Sequence, residues 1–144
     1  MTAVRDHIEF SNVSIVAAGL DLKGGATADA ETNNAIMYKV AGDLYSAAAT
    51  ATIDLSGATL PSGGSLVIAD GSKNIVTVTV DTSGTYTAYV GTSATTLASI
   101  VPYEDDYNGE AVVGYIVIEN ETGSDFTIGT TGLDTANVTD TYLD

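Results

Sequence analysis

Ile75-Val76-Thr77-Val78-Thr79-Val80, then Asp81-Thr82-Ser83-Gly84, then Tyr86, Ala88 and Val90 on the return: residues Ile75 to Val90 decide the fold. Valine and threonine alternate at the two-residue period of a strand, so one face is apolar and the other carries hydroxyls. Asp81-Thr82-Ser83-Gly84 supplies turn chemistry, and the alternation resumes after it, which predicts a β-hairpin. Ala111 to Glu119 reads differently. Val112, Val113, Tyr115, Ile116, Val117 and Ile118 are apolar on both faces, the signature of a central or covered strand.

Outward from these, Asn120 to Asp125 is a polar connector, and Phe126-Thr127-Ile128 before Gly129 is expected to pair back onto the 111–119 strand as a hairpin. Shorter strands are expected at Ile53 to Leu55, Ser65 to Ala69 and Val138 to Leu143, separated by turn clusters such as Leu60-Pro61-Ser62-Gly63-Gly64. Met37, Val40, Ala41, Leu44 and Ala48 recur at helical spacing. Gly42 interrupts them and the continuation is threonine-rich, which favours strand. Thr92 to Ile100 reads as a short helix stopped before Pro102. Residues 1–34 are rich in small residues and are expected to form an extended N-terminal arm or peripheral strand, with the β-rich domain spanning 35–144. The expected class is all-β, an antiparallel β-sandwich or β-barrel-like domain.

Composition narrows function by exclusion. The 144 residues are 44% hydrophobic and 16% charged, sufficient for one core, with 19 acidic residues against 4 basic ones and a net charge of −15. That field repels nucleic acid, so neither DNA nor RNA is expected as a partner. No apolar run approaches the roughly 18 residues of a spanning helix, and anionic membrane surfaces are repelled too. Identical subunits repel each other as well, so apolar contact has to overcome charge if the chain self-associates.

No cysteine is present, which removes disulfides, thiolate metal sites and cysteine nucleophiles together. The single histidine, His7, lies in the segment least expected to be held rigidly, so a Ser-His-Asp relay is disfavoured and a histidine-based zinc site lacks a ligand set. No phosphate-binding glycine loop occurs. Glu104-Asp105-Asp106-Tyr107-Asn108-Gly109-Glu110 places Asp106, Asn108 and Glu110 at alternate positions, as in a calcium loop, but Ala111 stands where the sharp-turn glycine belongs. A solvated connector is the simpler reading. Paired carboxylates of a glycosidase cannot be nominated among so many acids, and the absence of tryptophan disfavours a sugar-stacking platform. The sequence therefore names no catalytic residue, no cofactor and no metal ligand set, and no enzyme activity is expected.

Several segments carry a resemblance. They are Tyr38-Lys39-Val40-Ala41-Gly42-Asp43-Leu44-Tyr45, the Pro61-Ser62-Gly63-Gly64 turn, Val80-Asp81-Thr82-Ser83-Gly84-Thr85, Gly109 to Ile118, and Phe126 to Asp134 closing in Val138-Thr139-Asp140-Thr141-Tyr142. From Ala35 onward the chain resembles the capsid decoration, or cement, proteins of tailed phages. The resemblance implies a β-rich domain that assembles as a homotrimer on the outer surface of a virion. Its partner there is the phage's own major capsid protein, and assembly takes place in the host cytoplasm. It implies no catalytic residues. Stapling of this kind works by avidity over many weak contacts, and the N-terminal arm is expected to share in the grip. Val113, Tyr115 and Val117 are the expected interface residues, because a strand apolar on both faces packs inward and outward at once. The alternative is a head-fibre, tail-fibre or adhesin module that binds a host glycan.

Overall fold

The computed structural model describes residues 13–25, 27–50, 52–103 and 109–144. Among them the chain is all-β, with a single 3-10 turn at Leu97–Ser99. The expected hairpin is present as β7 (Lys73–Asp81) and β8 (Tyr86–Val90), with Val76 opposite Val90 and Val78 opposite Ala88. Its turn is held by the Asp81 carboxylate, which accepts the Ser83 hydroxyl at 2.6 Å and the N–H groups of Ser83 and Thr85 at 2.8 and 2.9 Å. The Ser83 hydroxyl, followed by the Thr85 N–H, holds the Asp81 pKa below the usual carboxylate value.

β9 (Glu110–Asn120) is the long central strand. It runs antiparallel to β7 from Lys73↔Glu119 to Asp81↔Glu110, with a register shift at Val78/Thr79 that leaves Val113 without an opposite residue. Buried positions on β9 follow Ala111 and Val113 and then Gly114, Ile116, Ile118 and Asn120, so the inward phase slips by one at this bulge. Part of the two-faced apolar run is therefore a change of phase, and not coverage on both sides.

The other edge of β9 is divided. β1 (Val13–Ser14) pairs in parallel at Val112, while β11 (Val138–Leu143) pairs antiparallel along Tyr115 to Asn120. The two meet at the bulge, where a Cβ on Gly114 would lie 2.4 Å from the Leu143 carbonyl oxygen. Beyond β1 come β4 (Ile36–Val40) and β5 (Asp43–Ala47), giving the sheet order β5-β4-β1-β9-β7-β8 with β11 alongside β9. β4 and β5 are joined by Ala41 and Gly42, both at positive φ (51° and 92°), the two-residue turn whose twist matches a hairpin.

The core lies between the inward face of this seven-stranded sheet and a second layer. That layer consists of the hairpin β2 (Leu20–Leu22) and β3 (Ala30–Thr32), the pair β6 (Val67–Ile68) and β10 (Phe126–Thr127), and the intervening loops. Tyr38, Val76, Val78, Val80, Ile116 and Ile118 meet Leu20, Ile53, Leu55, Ile68, Phe126 and Leu133 there, and each such side chain removed from water contributes roughly 1.5–3 kcal/mol. Two polar anchors cross the core. The Tyr38 hydroxyl donates to the Asp81 carbonyl at 2.6 Å, and buried Asn120 donates to the carbonyls of Ile68 and Ser124, both at 2.9 Å.

Several expectations are corrected. Phe126–Thr127 does not pair with β9 but with β6, because Asn120 turns the connector toward Ile68 and β11 occupies the edge of β9. Ile53 makes only an isolated bridge to Ala30, and Thr92 to Ile100 holds no more helix than the Leu97–Ser99 turn. A boundary near residue 34 does not divide the structure: β1 sits within the main sheet, and Ala18, Leu20 and Ala30 belong to the core. Small residues suffice at these positions because they fill a layer that other strands have already closed. Residues 1–12, including His7, lie outside the described residues.

Gly114 and Gly24 give a paired test, since an added Cβ meets nothing within 4 Å at Gly24. Gly114→Ala is expected to lower stability by about 1–3 kcal/mol in urea titration, through the clash with the end of β11. Gly24→Ala is expected to change it by no more than about 0.5 kcal/mol.

Candidate assembly surface

The main sheet turns a second face away from the core, and its two halves differ. Beside β7 and β8 the chain beyond Val90 prolongs the pairing as far as Ala94 opposite Lys73 and folds back through a Thr92–Val101 bridge, which brings the Tyr103 ring onto Tyr89 with centroids 5.0 Å apart. On β7, Thr77 and Thr79 are fully buried. The Glu110 carboxylate accepts the Thr79 hydroxyl at 2.7 Å and the Tyr89 hydroxyl at 2.9 and 3.1 Å. Glu110 thus fastens the start of β9 to the hairpin. Residues 104–108 of the acidic stretch considered for calcium lie outside the described residues, and Glu110 at its end is engaged by these hydroxyls.

Among the described residues, the half over β5, β4, β1 and the β9–β11 junction is open. Leu44 lies opposite Lys39, Met37 opposite Ser46, and Leu143 opposite Tyr115, all on the face away from Tyr38 and Ile116. The Ile15 N–H bonds to the Met37 carbonyl at 2.7 Å, which continues the β1–β4 register and sets Ile15 beside Met37. Ile15, Met37, Leu44 and Leu143 are 55%, 44%, 56% and 48% exposed, values unusual for large apolar side chains gathered on one face. Lys73 closes the far end through an ion pair with Glu119 at 2.5 Å.

The three residues expected at an interface separate in space. Tyr115 and Val117 lie half-buried on the outward face beside Leu143 and Thr141. Val113 is 3% exposed and lines a small recess with Ser14 to Ala17 and Asp144, so it is enclosed within the subunit by the bulge. The larger contributors, Met37, Leu44 and Ile15, escaped the sequence reading. Their signal was the counter-phase alternation of Met37/Lys39 and Leu44/Ser46 about the Ala41–Gly42 turn, which the competing helical spacing masked.

Among the described residues no group of three or more His, Cys, Asp or Glu side chains is placed to hold a metal ion. A cleft of about 280 Å³ between Pro61–Ser65 and Gly91–Ser93 is lined by hydroxyls, glycines and Val67, with no charged or aromatic side chain. No helix among the described residues is long and apolar enough to cross a membrane.

The buried pair Thr77 and Thr79 tests the covered half, because the Thr77 hydroxyl has no partner among the described residues while that of Thr79 binds Glu110. Thr77→Val is expected to be neutral or stabilising by up to about 1 kcal/mol, and Thr79→Val to cost about 1–3 kcal/mol in urea unfolding. Comparison with protein-family models, with curated proteins and with solved structures found no match.

Proposed function

We propose that this is a non-catalytic structural protein that acts by assembly, and specifically a capsid decoration protein of a tailed phage. On this reading it forms a homotrimer on the outer surface of the head and bridges subunits of the major capsid protein. The supporting observation is the open half-face itself: Ile15, Met37, Leu44 and Leu143 exposed together beside half-buried Tyr115 and Val117, on a chain whose net charge of −15 otherwise favours water. Burying such a strip releases roughly 25 cal/mol per Å² of apolar surface, enough to offset the mutual repulsion of acidic copies. The segment-by-segment resemblance to decoration proteins supports the shell as the place of action. A fibre or adhesin role has less behind it, since the polar cleft offers a sugar no aromatic stacking surface.

Met37→Asp tests the proposal. The side chain is exposed in the isolated subunit, so stability is expected to change by no more than about 0.5 kcal/mol. Sedimentation equilibrium is expected to show trimer association weakened by roughly tenfold or more, and co-sedimentation with phage heads stripped of the protein is expected to fall in parallel. Unchanged association with intact folding would place the contact elsewhere.

A further inference from the structure

The β5 edge of the main sheet is unpaired along its backbone, a feature separate from the apolar side chains of the open face. The two-residue turn at Ala41–Gly42 makes Val40 and Asp43 a hydrogen-bonded pair, and alternation then directs Asp43, Tyr45 and Ala47 toward β4. The Ile15–Met37 bond on the opposite edge of β4 fixes the same phase independently, because Met37 faces β1 and its neighbours Ile36 and Tyr38 face β5. Leu44 and Ser46 must therefore point their N–H and C=O groups away from the sheet. Among the described residues no group bonds them, and both residues are exposed. Protein sheets commonly blunt such an edge with lysine, proline or a bulge, and β5 has none of these in Asp43-Leu44-Tyr45-Ser46-Ala47.

We propose that β5 pairs with β5 of a second copy, antiparallel about a two-fold axis through Tyr45, so that two main sheets become one. The register follows from the free groups. Centring on Tyr45 sets Leu44 opposite Ser46 of the other copy on both sides of the axis and joins all the free N–H and C=O groups of the two strands in four hydrogen bonds. A shift to Leu44↔Leu44 or Ser46↔Ser46 leaves half of them unmatched by strand residues. The same register suits the side chains. Asp43 lies beside Ala47, so no like charges face each other, and large Leu44 lies beside small Ser46. Tyr45, already stacked on Tyr38 with ring centroids 5.8 Å apart, meets its own counterpart, extending an aromatic ladder across the axis. A second copy is thus the occupant the strand's own sequence fits. The edge contact requires no trimer; where both contacts form, it links one trimer to the next.

The test uses the full-length chain in native mass spectrometry and sedimentation across a concentration series. Even-numbered species are expected, strengthened by salt because the copies repel. Ser46→Pro removes an outward N–H and no internal bond, so it is expected to halve the assembly mass while thermal unfolding stays near wild type; if the proline does not fold, the two cysteine variants below decide the pairing. Because the chain lacks cysteine, register is read directly: under mild oxidation Tyr45→Cys is expected to give a covalent dimer and Asp43→Cys none. Only monomers or isolated trimers in the wild type, or an unchanged mass in folded Ser46→Pro, would overturn the pairing. So would concentration-independent exchange protection of the Leu44 and Ser46 amides, which would mean that the chain covers its own edge. Met37→Asp acts on the open face alone, so the two contacts fail separately.

Discussion

Everything in this structure depends on the pairing of β9. Its backbone is engaged along both edges, by β7 on one side and by β1 and β11 in succession on the other. The Val113 bulge lets one strand serve two partners of opposite direction, and Gly114 permits the end of β11 to come within backbone contact. From this arrangement follow the inward phase of Ile116 and Ile118, which sets the core, and the outward phase of Tyr115 and Val117, which sets the exposed face. Most partners of β9 are distant in sequence, so the sheet closes only after the chain has collected its first, middle and last segments.

That distribution explains how much the sequence disclosed. The β7–β8 hairpin was legible because turn and alternation are local, and Val138 to Leu143 was legible as a strand for the same reason. The partner of β9 was not, since Phe126 is nearer in sequence, and only buried Asn120 reveals that the connector bends toward Ile68. Val113 looked like a surface residue because the two-residue period was carried through a bulge that no local pattern marks. Residues 13–34 looked peripheral because Ala18 and Ala30 are small, whereas small side chains are what a closed second layer accepts. The outward set Met37, Leu44 and Ile15 becomes visible only once the Ala41–Gly42 turn has folded β4 against β5.

The molecule divides its polar resources in a way that suits structural work. Hydroxyls and amides at Asp81, Glu110 and Asn120 fasten turns and strand ends, and among the described residues no three His, Cys, Asp or Glu side chains gather to hold a metal ion. The unsatisfied features among the described residues include apolar surface on half of one sheet face and backbone on one sheet edge. Surfaces of these two kinds suit other macromolecules better than small ligands, and the proposed decoration role rests on that.

The central claim, that the protein acts as a repeating component of a shell, is tested most directly by its copy number in purified phage particles, measured by quantitative mass spectrometry against the major capsid protein. The account predicts copies comparable in number with the capsid protein. A handful of copies per particle, or none, would contradict it.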